Sequence, residues 1–333
     1  METRTADLHP KAMAVIAVLA TLYTLYFARP ILIPVVVSLL VAFLLAPLVT
    51  GLARVHIPRW LGSAVVVLAC LGVLAGGAYL LRGPAGRWLE ETPQALARAE
   101  SRVRELLAPV EDVQAAAEQV EQLAAGEEAD RSVRVDTDGG LKTVVFEHAR
   151  SGLTGAAIVV GLVYFLLSWG HLFMMKLSRV ASTPPKRQIA WDVALNVQRD
   201  VSTYLLTVTG INIVLGAAVT GAMALLEMPN PLLWGAMAAV LNFIPYFGAA
   251  IGMAILGLAG FAVFEDPGRA IVVALVYGGL TSLEGNLLKP MILGHRLRLN
   301  PVAVFLGLLF WGWIWGIVGA ILGHWLLGLD LTV

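Results

Sequence analysis

The chain has 333 residues, 58% hydrophobic and only 14% charged, with zero net charge and a mean hydropathy of +0.79. That composition excludes an ordinary soluble domain, which could not keep so much apolar surface dry, and indicates a polytopic helical membrane protein. Charge is unevenly spread: residues 82–150 hold nine Lys/Arg against fourteen Asp/Glu, a net of −5, so the remainder carries +5. The single cysteine, Cys70, lies in an apolar run, which excludes an intrachain disulfide.

Apolar runs of about 20 residues, enough to cross a bilayer, begin with Ala12–Phe27, Ile31–Val49 and Leu61–Leu81. Arg29-Pro30 follows the first run where a cleavage site would need small residues, so it reads as a span. Pro30 and Pro34 predict a tight hairpin between the first two spans. Residues 83–150 form an extramembrane insert. Its apolar positions Val103, Leu106, Val110, Val113, Ala117 and Val120 alternate by three and four, predicting an amphipathic helix within Thr92–Ala125, kinked at Pro109. Val133 and Val135 alternate with charged neighbours and allow a short strand. The insert reads as a solvated helical hairpin, with an oligomer contact as the sharper alternative.

A fourth span follows at Gly152–Met175. Thr183-Pro184-Pro185 signals a helix start, and Ile189, Val193, Val197 and Val201 then form a stripe suited to an interfacial helix. Further apolar runs occupy Tyr204–Leu226, Ala270–Leu288 and Pro301–Leu327. Two stretches are interrupted. Asn230–Gly252 opens with Asn-Pro and breaks at Asn242–Pro245; Asn300–Gly323 opens the same way and breaks around Gly312–Gly316. Paired broken hydrophobic segments point to a transporter binding site, because irregular backbone at membrane depth needs protein or a water-filled cavity to satisfy it.

With the N-terminus cytoplasmic, twelve of the fourteen basic residues outside 82–150 fall on one side, a positive-inside pattern. This requires 231–264 to return to its starting side, as a re-entrant hairpin or two short tilted spans. Residues 301–327 either fold back likewise or cross once. If both fold back, the unit of span, Asn-Pro and broken hairpin occurs twice in opposite orientation, an inverted repeat. The expected fold is thus an all-α polytopic membrane protein. It has about seven to eight hydrophobic segments, one or two re-entrant hairpins and the extramembrane insert. Its parts are 1–82, three spans; 83–150, the extracytoplasmic insert; 151–203, a fourth span and cytoplasmic amphipathic helix; and 204–333, the transport half.

The strings LNFIPYFGAAIG (241–252) and LEGNLLKPMILGHRLRLNPVAV (283–304) are similar to those of the autoinducer-2 exporter family of permeases. The resemblance extends over essentially the whole chain, with Ile244-Pro245 and Gly248, and Glu284 with Pro290, Gly294 and Pro301, as its signature. It implies a multispanning, homo-oligomeric permease of the bacterial cytoplasmic membrane, exporting autoinducer-2 or exchanging sodium for protons.

Glu284 is the sharpest candidate for binding solute or ion, as the one acidic residue well inside an apolar run of the second half. It could instead pair with Lys289 or Arg296 and hold a helix end. Asn242 and Pro245 sit at the first break, where freed carbonyls could coordinate a solute or cation, or mark only a kink. Gly248 belongs to the same signature. Asn286 and Asn212 are polar groups in apolar spans, explained equally by interhelical hydrogen bonds. Trp311 and Trp313 lie near the second break and could line a pocket, although packing explains them too; Gly316 and Gly319 read as close helix packing or gating. No His partners lie at metal-ligand spacing, so no metal or other cofactor is expected beyond coupling to H+ or Na+. No enzyme motif is present.

The expected function is a secondary transporter for a small polar solute, working by movement of the hairpin-bearing half against the first spans. Its partners are the lipid bilayer and the solute, with no nucleic acid. The alternatives are a sodium/proton antiporter and, from another class, a membrane scaffold binding a partner through 83–150.

Overall fold

The computed structural model describes residues 8–88, 90, 154–170, 184–244, 247–293 and 301–329. The expected helix and strand of the insert, and Pro245, lie outside these. All regular elements among the described residues are helical, and four helices are long and apolar enough to cross a membrane. The chain divides into two compact units: Met1–Leu74 with Gly152–Gly210 and Lys289–Val333, and Ala75–Ser151 with Ile211–Leu288.

In the first unit, α1 (Leu8–Phe27) and α2 (Arg29–Arg54) meet at Ala28, which is itself helical in conformation. The Ala28 N–H donates to Thr24 and the Leu32 N–H donates to Ala28, so hydrogen bonding runs through the joint. The hairpin expected at Pro30 and Pro34 is not formed. Both prolines instead sit in the first turns of α2, where a missing N–H costs least or only bends the helix.

Pro47 lies deeper in α2 and cannot donate to the carbonyl of Phe43 four residues back. That carbonyl accepts from the buried Ser202 hydroxyl at 2.6 Å instead. Ser38 donates both within its own helix, to Pro34, and to Val159 at 3.3 Å. Leu45 and Val49 of α2, Val66 and Val67 of α3 (Arg59–Trp88), and Val163 of α4 (Thr154–Gly170) form the apolar core here.

Helix α5 (Pro184–Leu225) is unbroken for 42 residues. The expected boundary between an interfacial helix and a span at Tyr204 falls inside it. At 1.5 Å per residue it is roughly 63 Å long, about twice the hydrocarbon thickness.

The second unit packs Leu215, Val219 and Met223 of α5 against Trp234 and Ala238 of α6 (Pro231–Leu241). Leu256 and Ala259 of α7 (Phe247–Val263) and Val273 and Tyr277 of α8 (Pro267–Leu283) complete this core. Small residues set the crossings. A Cβ at Gly216 would lie 2.8 Å from the Gly235 carbonyl and 2.9 Å from Ala239 Cβ, so α5 and α6 touch backbone to backbone. A π-helical turn, Glu284–Leu288, and a short α9 (Lys289–Leu293) follow α8.

Helix α10 (Pro301–Leu329) is interrupted at Gly316, with φ 66° and ψ −149°, a conformation open essentially only to glycine. A Cβ at Gly312 would lie 3.6 Å from Ala320 Cβ, and one at Gly319 would fall on the Trp311 carbonyl. In a continuous helix residues eight apart are separated by about 12 Å. The two halves of α10 therefore turn back on each other.

Candidate functional site

The polar residues of the second unit gather by register. Along α8 the buried positions run Ala270, Val273, Tyr277, Thr281 and then Glu284, all on one helix face. That face is apolar at its start and polar at its end. Glu284 is only 2% exposed. It opens the π turn, a helix irregularity that recurs at functional sites.

Helix α7 lies antiparallel to α8, and close approaches fix the register. Gly260 faces Ala270, Gly257 faces Ala274, and Gly252 faces Tyr277, whose hydroxyl occupies the place a Cβ would take. Continuing that register puts Thr281 level with Gly248 and Glu284 level with the turn between α6 and α7. At that turn the Ile244 N–H donates to Leu241 and the Gly248 N–H donates to Ile244. Gly248 is required there: a Cβ would fall on the Leu241 carbonyl.

Asn242 caps the C-terminus of α6, and its Nδ2 donates to Oδ1 of Asn212 at 2.8 Å. Asn212 belongs to the buried face of α5, one turn before Leu215, and is fully buried with its Nδ2 unpaired among the described residues. The α5–α6 pairing of Gly216 with Gly235 and Ala239 brings the two amides to the same level. The structure thus places Asn212, Asn242, Gly248 and Glu284 at one end of a single helical unit.

The other sequence candidates lie elsewhere. Asn286 is exposed, and its Nδ2 donates to the Ser282 carbonyl of its own helix. Trp313 is 71% exposed. Trp311, Gly316 and Gly319 belong to the first unit, where Trp311 packs against Trp315 with ring centroids 5.1 Å apart and the rings tilted by 57°. Trp315 donates from its indole to the Leu25 carbonyl at 3.2 Å. No group of three or more potential metal ligands occurs among the described residues.

Sequence reasoning missed Tyr277 and Thr281. Counting back from Glu284 by one and two helical turns reaches both, and that spacing was the available signal.

A buried carboxyl and two amides beside a helix break, in a chain of apolar helices, suit the binding of a polar solute within a membrane. The sequence model of the AI-2E family transporters matches residues 15–330. The chain belongs to the AI-2E transporter family. It is a membrane transport permease with helical membrane-spanning segments. It is similar to the AI-2 transport protein TqsA of Escherichia coli strain K12, with 28% identity over 296 residues, covering 89% of this chain and 83% of TqsA. YhhT of the same strain, named as a candidate transport protein, is 27% identical over 322 residues, 94% of this chain and 85% of YhhT. A shorter match, 39% identical over 95 residues, joins 28% of this chain to 26% of YrrI from Bacillus subtilis strain 168.

Proposed function

We propose that this AI-2E protein is a secondary transporter of the bacterial cytoplasmic membrane, exporting a small polar metabolite or signal such as autoinducer-2. The observation that carries the reading is the Asn242–Asn212 amide pair at the break between α6 and α7, with the 2%-exposed Glu284 level with that turn by the α7–α8 register. The AI-2 transport function named for TqsA supports the solute. The backbone at Gly248 and the two amides bind the solute, and Glu284 exchanges a proton or sodium ion during the cycle.

Helices α6 and α7, at 11 and 17 residues, reach about 16 and 25 Å, each short of the roughly 30 Å hydrocarbon core. They act as a re-entrant hairpin whose tip carries the site, and α10, broken at Gly316, is its inverted counterpart with Trp311, Trp313 and Gly319 around the bend. The positive-inside pattern supports a cytoplasmic face for the basic segments at 50–60, 174–203 and 289–300. Copies of the chain assemble as a homo-oligomer. Movement of the hairpin-bearing half against the first spans exposes the site alternately.

Counterflow of labelled autoinducer-2 in proteoliposomes tests this, with wild type compared to Glu284→Gln. Flux in the wild type and its loss in the variant are expected. Wild type without flux, in protein confirmed folded, rejects autoinducer-2 as the solute. A second reading rests on the same carboxyl: a sodium/proton antiporter, which would move protons against a sodium gradient with no organic solute present.

A further inference from the structure

We propose that Tyr277 is a specificity-determining residue of this site, whose hydroxyl donates a hydrogen bond to an acceptor oxygen of the transported solute. The proposal rests on the reading that the polar end of the second unit is the solute site. Tyr277 is fully buried, and its hydroxyl has no hydrogen-bond partner among the described residues. A buried polar group left unpaired is a standing cost, which phenylalanine would avoid while filling the same space. The ring is admitted only because Gly252 lacks a Cβ, since the hydroxyl end lies where that atom would be. The sequence thus places a glycine in α7 where it lets an unpaired donor into the core.

The chemistry of the neighbours defines what the hydroxyl awaits. Thr281, one turn on, already donates to the carbonyls of Tyr277 and Gly278 at 3.0 and 3.1 Å. Asn212, in the same unit, likewise holds a fully buried Nδ2 with no acceptor among the described residues. Two unfilled donors in this unit call for a ligand rich in acceptor oxygens, such as hydroxyl, carbonyl or ether groups. The Asn212 N–H can only donate, so it favours an acceptor oxygen of an organic solute over a bare cation, and the Tyr277 hydroxyl can donate to the same kind of group.

The test is ligand-induced thermal stabilisation of the purified full chain, wild type against Tyr277→Phe, with autoinducer-2, ribose and glycerol added separately. Binding to the folded state alone raises the transition temperature by an amount that grows with the logarithm of ligand concentration over Kd. The expected result is that at least one solute stabilises the wild type and that its apparent affinity falls about tenfold in Tyr277→Phe, the effect of one lost hydrogen bond. Without solute, Tyr277→Phe should melt at the same temperature as wild type or higher, which a merely structural role of the hydroxyl would not give. Equal affinities in the two proteins overturn the proposal, as does the absence of stabilisation by all three solutes. Stabilisation by ribose or glycerol, weakened in Tyr277→Phe and with no autoinducer-2 flux, upholds Tyr277 as a contact residue and removes only autoinducer-2 as the cargo. Tyr277→Trp, too large for the Gly252 contact, should lose stability and so reports on packing separately from the hydroxyl.

Discussion

Asn242 and Asn212 are thirty residues apart in sequence, yet their side-chain amides meet at 2.8 Å and join the end of α6 to the middle of α5. The bond satisfies one acceptor of a fully buried residue and fixes where α6 stops relative to α5. Deeper along the same pair of helices, Gly216 and Gly235 bring the backbones together, so the amides cannot separate without opening that crossing.

Asn242→Leu should therefore destabilise the protein, because it leaves Asn212 buried without this partner. Asn212→Leu should do the same through Asn242 to a lesser degree, since Asn242 is only partly buried. The double substitution should cost less than the two single ones together. A double-mutant cycle read by thermal denaturation in detergent should give a coupling of about 0.6–1.7 kcal/mol, the range for interhelical hydrogen bonds in membrane proteins. A coupling of zero would mean that the bond contributes nothing to holding α5 and α6.

Ser202 compensates a defect that Pro47 creates. Ser202→Ala should cost about 1–3 kcal/mol by orphaning the Phe43 carbonyl. The same substitution in a Pro47→Ala background should cost much less, since an alanine there regains the backbone N–H that donates to that carbonyl within the helix. Equal costs in both backgrounds would show that the serine acts through packing alone.

Gly248→Ala places a methyl group on the Leu241 carbonyl, at the turn that positions Asn242. A loss of about 1–3 kcal/mol is expected from overpacking, together with loss of flux. Gly221→Ala meets nothing within 4 Å and should be neutral or slightly stabilising for its helix. The difference in melting temperature between the two variants is the measurement.

Gly316→Ala has open space around its new methyl group, so any effect is conformational. At φ 66° and ψ −149° the expected cost is about 1–3 kcal/mol. If the variant melts with the wild type, α10 does not need its break. Gly279→Ala, also in open space but inside a regular helix, is the matched control.

The orientation proposed from charge is testable by labelling. In a Cys70→Ser background, single cysteines introduced in place of Arg54 and Arg187 should react with a membrane-impermeant maleimide only from the cytoplasmic side. Labelling of both from the outside would invert the topology.

The sequence by itself determined the class, the helical content and the break at Asn242–Pro245. Each follows from local chemistry: apolar length sets membrane spans, and proline removes a helical hydrogen bond wherever it stands. It also marked Glu284 and both asparagines, because a polar residue in an apolar run is visible without any neighbour. Other features lay beyond it. Nothing local distinguishes Pro30, absorbed in the first turn of α2, from a proline that makes a hairpin, and no composition shift near Tyr204 reveals that α5 continues unbroken. Which polar groups meet was decided by tertiary structure alone. Gly252 admits Tyr277, Gly216 admits Gly235, and these approaches of helices distant in sequence set the register that brings Asn212 to Asn242 and Glu284 level with the turn. The physical reason is that a glycine's missing Cβ has meaning only once another chain segment occupies the space it leaves.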